Sequence, residues 1–455
     1  MPFGYGENPT FVPPGQLSMP FVDDLIAFSA QPSADLPVSA VQLAKLSLLD
    51  WLVCGRAGVE EPVAQKLRAF GVSEGGFQTA STFGGSKMPP RMAAFINGAV
   101  SHALDYDDTH FAHVGHLSVG IYPAALAVAE DVGANASDLL AAFVIGAEAA
   151  IRIGTVLGAS HYNLGFHQTA TAGAFGATVA AGRLHGLSSE QMRAAIGLCA
   201  TRASGLKSQF GTMGKPYNAG IAASNGVECA QLAALGLTSC DDGLMGPQGF
   251  AETHNPETLP SKALWNQGSG NRLLLEDNKY KLHACCHGLH AMIEGLLSAK
   301  DAGVTFDDVE EIALRTNPRW LNVCDIKRPR TGLEVKFSYD WLSGMTLRGD
   351  VTGAPDTYTD ALAADPGLEA FAENVTVVGD DTLTDLQAAG VLTLKTGKTR
   401  LLSFDLAAPL PMETLQGKLR SKAQACLGQE GADIWSVLDK LDEINARKIG
   451  RLVSG

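Results

Sequence analysis

Between Arg91 and Val132 the chain reads Arg91-Met-Ala-Ala-Phe-Ile-Asn-Gly-Ala-Val-Ser-His-Ala-Leu104, then Asp105-Tyr-Asp-Asp-Thr-His-Phe-Ala-His-Val-Gly-His-Leu-Ser118, then Val119-Gly-Ile-Tyr-Pro-Ala-Ala-Leu-Ala-Val-Ala-Glu-Asp-Val132. The outer two pieces are alanine-rich and apolar, and the first follows Pro89-Pro90, a pair suited to the first turn of a helix. The middle piece packs Asp105, Asp107, Asp108, His110, His113 and His116 into one short polar loop. The expectation is two buried helices joined by a loop that holds reacting groups rigidly at the edge of a core.

The same texture extends outward. Apolar residues recur at helical spacing from Val41 to Val53, Pro62 opens a helix through Phe70, and Gly133 closes the helix begun at Val119. Ser137 reads as the N-cap of the next helix, and Ser188 with Gln191 reads as a capping box opening Met192 to Thr201. Gly165 to Gly186 carries small residues every three or four positions, which lets a second helix approach closely. From about Leu274 the pattern changes. Val309 to Thr316 and Val375 to Val378 read as strands, Gly390 to Asp405 as a hairpin turning at Thr396-Gly397, and Val335 to Leu347 as a helix between them. Met412 to Leu452 is helical again. The expected fold is mainly α: a large all-α domain of residues 18–273 plus 406–455, with a smaller α+β domain, 274–405, inserted and the site in the cleft between.

Composition narrows the function. The chain is 46% hydrophobic and 18% charged, with 48 acids against 34 bases and a net charge of −14. No basic run offers a phosphate-binding stripe, so nucleic acid and anionic membrane are not expected partners. No stretch of eighteen residues is uninterruptedly apolar, so no membrane span is expected either. The eight cysteines are scattered with no Cys-x-x-Cys pair, and no secretory signal is evident, which suggests free thiols in a reducing, cytoplasmic setting. Met1 to Gln16, rich in Pro and Gly, reads as a loose arm.

Three readings compete for the loop: turn residues with solvated histidines, a metal site on His110, His113 and His116, and acid–base catalysis by a histidine oriented by carboxylates. A spacing of three over two steps turns side chains steadily around a helix, which disfavours one ion shared by the three imidazoles. His167 opens the small-residue run, where free N–H groups favour an anion. Lys215 sits in a glycine-rich loop, Phe210-Gly-Thr-Met-Gly-Lys-Pro-Tyr-Asn-Ala-Gly220, placed between helices ending near Lys207 and beginning near Ala219. Lys279-Tyr-Lys-Leu-His-Ala-Cys-Cys-His-Gly-Leu-His290 gathers histidines and vicinal thiols. Adjacent cysteines point apart, so catalysis or packing is expected there before metal.

These motifs resemble the MmgE/PrpD family. His-Ala-Leu-Asp-Tyr-Asp-Asp-Thr followed by His-Leu-Ser is similar to its His-Ala-Leu-Asp-Phe-Asp-Asp-Thr and His-Pro-Ser; Gly-Thr-Met-Gly-Lys-Pro is similar to its Gly-Thr-Met-Thr-Lys-Pro. Phe166-His167-Gln-Thr resembles its Trp/Phe-His-x-Thr motif, and Lys281, Cys286 and His290 fit its Lys-x-x-x-Ala/Ser-Cys-x-x-x-His motif. The family includes 2-methylcitrate dehydratase, cis-aconitate decarboxylase and iminodisuccinate epimerase. The resemblance implies a homodimeric enzyme, free of metal and organic cofactor, that abstracts a proton next to a carboxylate of a small di- or tricarboxylic acid. His116, Lys215, His167 and Asp105 would be catalytic, and Thr109, Lys281, Cys286 and His290 would bind substrate. Tyr217-Asn218 stands where the family has a histidine before Ala-Gly. Cys286 and Trp341 stand where the decarboxylases have histidine and tyrosine, which argues against decarboxylation in particular. A lyase is expected first, an epimerase second, and a non-catalytic helical scaffold is the alternative of a different class.

Overall fold

The computed structural model describes residues 20–255 and 272–455, so the expected N-terminal arm lies outside the described residues. The chain opens with α1 (Pro20–Ser29), α2 (Val38–Ala57) and α3 (Pro62–Glu74), then a short antiparallel pair, β1 (Ala80–Thr82) and β2 (Gly85–Met88). The stretch that led the sequence reading becomes α4 (Pro90–Ser101), a loop, and α5 (Ser118–Val132), followed by α6 (Ala136–Leu164), α7 (Thr171–Leu184), α8 (Ser189–Arg202), α9 (Gly214–Ala234) and α10 (Phe250–His254). Asn135, not Ser137, caps α6: its Oδ1 accepts from the Asp138 N–H, and the Ser137 hydroxyl donates to the same oxygen. The capping box of Ser188 and Gln191 forms as read, and Gly133 takes the left-handed conformation that ends α5.

Helices α4, α5, α7 and α9 pack through backbone as much as through side chains. A Cβ on Gly98 of α4 would lie 2.9 Å from the Ala219 carbonyl oxygen, and one on Gly220 of α9 would lie 2.5 Å from that of Phe95. Glycine at both positions lets the end of α4 meet the start of α9, and this contact brings the loop after α4 to the first turn of α9.

The later part holds α11 (His290–Asp301), β3 (Val309–Thr316), α12 (Pro318–Cys324), α13 (Gly332–Val335), α14 (Tyr339–Arg348), α15 (Asp360–Ala363), α16 (Pro366–Ala372), β4 (Val375–Gly379), β5 (Gln387–Leu394) and β6 (Thr399–Asp405). The strands form one sheet in the order β4-β3-β5-β6, with β3 and β4 parallel and the other pairs antiparallel. The expected helix from Val335 to Leu347 is broken: Ser338 caps a new helix by accepting from the Trp341 N–H. Then α17 (Met412–Leu427), α18 (Gln429–Trp435) and α19 (Ala446–Ser454) close the chain.

Buried apolar residues fall into two clusters. One joins Phe21 through Tyr280 with Leu419 through Val453, and the other joins Ala284 through Leu402 with Cys54 and Tyr106. The protein is mainly α. Two helices, α2 and α6, are long and apolar enough to cross a membrane, but 72% and 89% of their most apolar windows are buried inside this fold.

Candidate active site

Asp105 follows α4 and has φ +51°, a left-handed conformation that a non-glycine residue adopts only when its surroundings hold it there. The holding groups come from distant elements. The loop pairs with residue 279 as an isolated antiparallel bridge, the Thr109 N–H donating to the Lys279 carbonyl at 2.7 Å and the Lys279 N–H returning at 2.8 Å. That bridge sets Lys281 beside Asp105. Its Nζ donates to the Asp105 carbonyl oxygen at 2.6 Å and lies 3.0 Å from Oδ1. Lys215 Nζ lies 2.6 Å from Oδ2. Although burial pushes the Asp105 carboxyl up, the two ammoniums outweigh it and hold it well below the usual carboxylate range.

Lys215 stands in the first turn of α9, not in a loop, so the sequence reading is corrected: Pro216 belongs to the helix start. An ammonium there opposes the helix dipole, and the Asp105 carboxylate offsets it.

Asp107 is buried and shared by two imidazoles. Its Oδ1 accepts from His102 Nδ1 at 2.8 Å, and its Oδ2 lies 2.8 Å from His116 Nδ1. Against the burial that raises it, the two imidazoles keep this carboxyl far below its ordinary value. His116 thus holds Nδ1 against Asp107 and turns Nε2 toward the Asp105 carboxylate, 3.6 Å away. Burial lowers the His116 pKa, Asp107 raises it and His102 lowers it, and the net direction is down. A lowered pKa suits an imidazole that has to accept a proton near neutral pH.

His167 stacks 6.1 Å from His102, and its Nδ1 accepts from Asn218 Nδ2 at 3.1 Å. Nε2 of His167 then carries the hydrogen, a neutral donor suited to an oxyanion. Burial, then His102 and Lys215, holds its pKa well below the ordinary value. The Phe210 ring packs between His167, 4.9 Å away, and Lys215 Nζ, 5.3 Å away.

The other loop histidines turn elsewhere. His110 Nε2 bonds the Leu274 carbonyl and His113 Nδ1 the Ala150 carbonyl, so the three evenly spaced imidazoles serve three different elements. Asp108 is structural: it accepts from the Ser118 N–H at 3.0 Å, the Ser118 hydroxyl at 2.6 Å and Asn278 Nδ2 at 2.7 Å, pinning the loop to the start of α5. The donor atoms of His102, Asp105, Asp107 and His116 lie within 4.8 Å of one another, a set that could in principle hold a cation, yet Lys215 and Lys281 already occupy Asp105.

Thr109 Oγ1 bonds His287 Nδ1 at 3.1 Å, while His290 lies behind His287, ring centres 4.7 Å apart. His287, not His290, is thus the histidine joined to the loop. Burial, with Lys281 and His116 nearby, pushes it down to about 3. Cys286 borders Lys281, and a hydrogen bond with the Cys324 thiol pulls its own thiol below the ordinary value. Trp341 is buried, its Nε1 donating to the Leu362 carbonyl. The sequence assigns no role to His102 or His287, although His102 opens the His-Ala-Leu-Asp motif, and it marks Asn218 only as a departure from the family's histidine. A cavity of about 430 Å³ lies on the open face of the sheet, lined by Leu314, Val378 and Leu401 among others. It holds no acid–base pair, and the chemistry belongs to the buried cluster instead.

Residues 28–261 match the MmgE/PrpD N-terminal domain and residues 283–443 the MmgE/PrpD C-terminal domain. The chain belongs to the MmgE/PrpD family. Among its relatives, the cis-aconitate decarboxylase-like protein oryM of Aspergillus oryzae is 31% identical over 282 residues, 58% of each chain. The cis-aconitate decarboxylase of Homo sapiens is 28% identical over 385 residues, 79% of this chain and 76% of the relative. That of Aspergillus terreus is 30% identical over 275 residues, 58% of this chain and 56% of the relative. The chain thus matches a little over half the length of the two fungal relatives.

Proposed function

We propose that this MmgE/PrpD chain removes a proton next to a carboxylate of a small di- or tricarboxylic acid, after which the carbanion expels a β-group with its electron pair or takes up a proton again at carbon, without metal or organic cofactor. The observation that supports this most is the His116 imidazole, oriented by Asp107 and set beside two ammoniums that share one carboxylate. Lys215 and Lys281 against Asp105 leave one positive charge for a substrate carboxylate. A carbon acid is weak, so that charge and the His167 N–H have to stabilise the enolate-like intermediate. His116 takes the proton, and Thr109 and Lys281 hold the acid in place. Cys286 and His287 line the far side, with His290 behind. In this reading the site lies between a large domain of residues 18–273 and 406–455 and an inserted domain of residues 274–405. The enzyme works as a cytoplasmic homodimer with no nucleic-acid or membrane partner.

The relatives' names make cis-aconitate the first acid to offer, followed by 2-methylcitrate and iminodisuccinate. The expected result is turnover of one of the three, followed by NMR, at a rate that a chelator does not change. Inversion at carbon without loss of a group would place the enzyme with the epimerases. Loss of rate to the chelator and its return with zinc or iron would give the His102, Asp105, Asp107 and His116 cluster to a metal. No turnover of any acid would favour the scaffold alternative.

A further inference from the structure

Among the described residues, two lysines are buried, Lys281 and Lys422, and they donate to consecutive carbonyls of the same loop. Lys281 Nζ reaches the Asp105 oxygen at 2.6 Å, and Lys422 Nζ reaches the Tyr106 oxygen at 2.7 Å. Lys422 comes from α17, 316 positions further along the chain than Tyr106. Its ammonium also lies 2.6 Å from Asp50 Oδ1 of α2 and 4.1 Å from the centre of the Tyr106 ring. The Tyr106 hydroxyl in turn donates to the Gly353 carbonyl at 2.9 Å. The first of the two loop carbonyls belongs to Asp105, whose backbone sits at φ +51° and whose carboxylate separates Lys215 from His116, and the second belongs to the next residue along the same turn.

We propose that Lys422 is a positioning residue for this site, fixing the Tyr106 carbonyl so that the strained turn keeps the Asp105 carboxylate between Lys215, Lys281 and His116. A buried ammonium is costly to place in a core unless its hydrogens are all used, and here they are divided between Asp50 and the loop. The grip matters because a displacement of about 1 Å at a reacting group can cost a rate factor of about 10². If Lys422 served only to neutralise Asp50, the loop contact would be incidental. The activity part of this inference rests on the function proposed above; the structural part does not.

The test uses Asp50→Asn and the paired Asp50→Asn/Lys422→Met change in the full chain, because Lys422→Met alone leaves a buried carboxylate unpaired and can unfold the protein. The single variant keeps the ammonium on the Tyr106 carbonyl, and the pair removes it together with its counter-ion. The grip predicts a crystal structure of the pair in which Asp105 leaves the left-handed region or its carboxylate leaves Lys215. It also predicts kcat lowered by about tenfold or more with KM nearly unchanged, while Asp50→Asn stays within about threefold of the parent. An unchanged Asp105 conformation in the pair would overturn the proposal whether or not a substrate has been found. So would an Asp50→Asn variant as slow as the pair, since both would then act through the ion pair alone.

Discussion

Lys215→Ala is expected to lower kcat by about 10²-fold or more, the size seen when one donor to a developing oxyanion is removed. The side chain is 17% exposed and its partner Asp105 is 45% exposed. Asp105 keeps Lys281 after the change, so stability should move by about 1 kcal/mol or less. Lys215→Arg should restore little, because a planar guanidinium does not fit the space of a compact ammonium between Gly214 and Pro216, beside Asp105 and the Phe210 ring. Steady-state kinetics on the acid found by the substrate panel, with thermal melts of each variant, checks this. Unchanged turnover in the alanine variant would remove Lys215 from the site.

His116→Ala should cost more, about 10³-fold in kcat, because it removes the proton acceptor and not only a stabilising charge. Its pH dependence carries the sign. The imidazole must be neutral to act, and its pKa lies below 6.5 because burial and His102 outweigh the nearby carboxylates. Activity should therefore be full at neutral pH and fall only on the acid side of 6.5. Asp107→Asn removes the charge that raises the His116 pKa, so the acid limb should move to lower pH while the plateau drops. It also leaves one of two buried Nδ1–H groups without an acceptor, which should destabilise the fold by about 1–3 kcal/mol. An acid limb that stays in place in Asp107→Asn would take His116 out of the role of base.

Much of this architecture was legible because it is local. Helix α4, the acidic loop and α5 follow from alanine-rich periodicity broken by charge, and the hairpin of β5 and β6 turns at Gly397 as the strand pattern indicates. Lys215 is a candidate site lysine that the sequence places in a loop, since the glycines around it read as flexible; Pro216, inside the first turn of α9, is the helix signal against that reading. Asn218 read as a departure from a histidine, whereas in the fold it orients His167.

What stayed hidden was tertiary. No spacing rule links Lys422 to Tyr106, or His102 and His116 to one carboxylate, because those contacts depend on how distant elements pack. Likewise, vicinal cysteines and three nearby histidines looked equivalent in sequence. Only the bridge between Thr109 and Lys279 decides that His287 joins the loop while His290 stays behind it.

The central claim is that His116 takes a proton from carbon. Incubating the protein in D2O with each candidate acid and following the signal of the C–H next to the carboxylate by proton NMR tests it most directly. The account predicts deuterium at that carbon in substrate or product with the parent protein, and none above background with His116→Ala. Turnover with full retention of the original C–H hydrogen would contradict it.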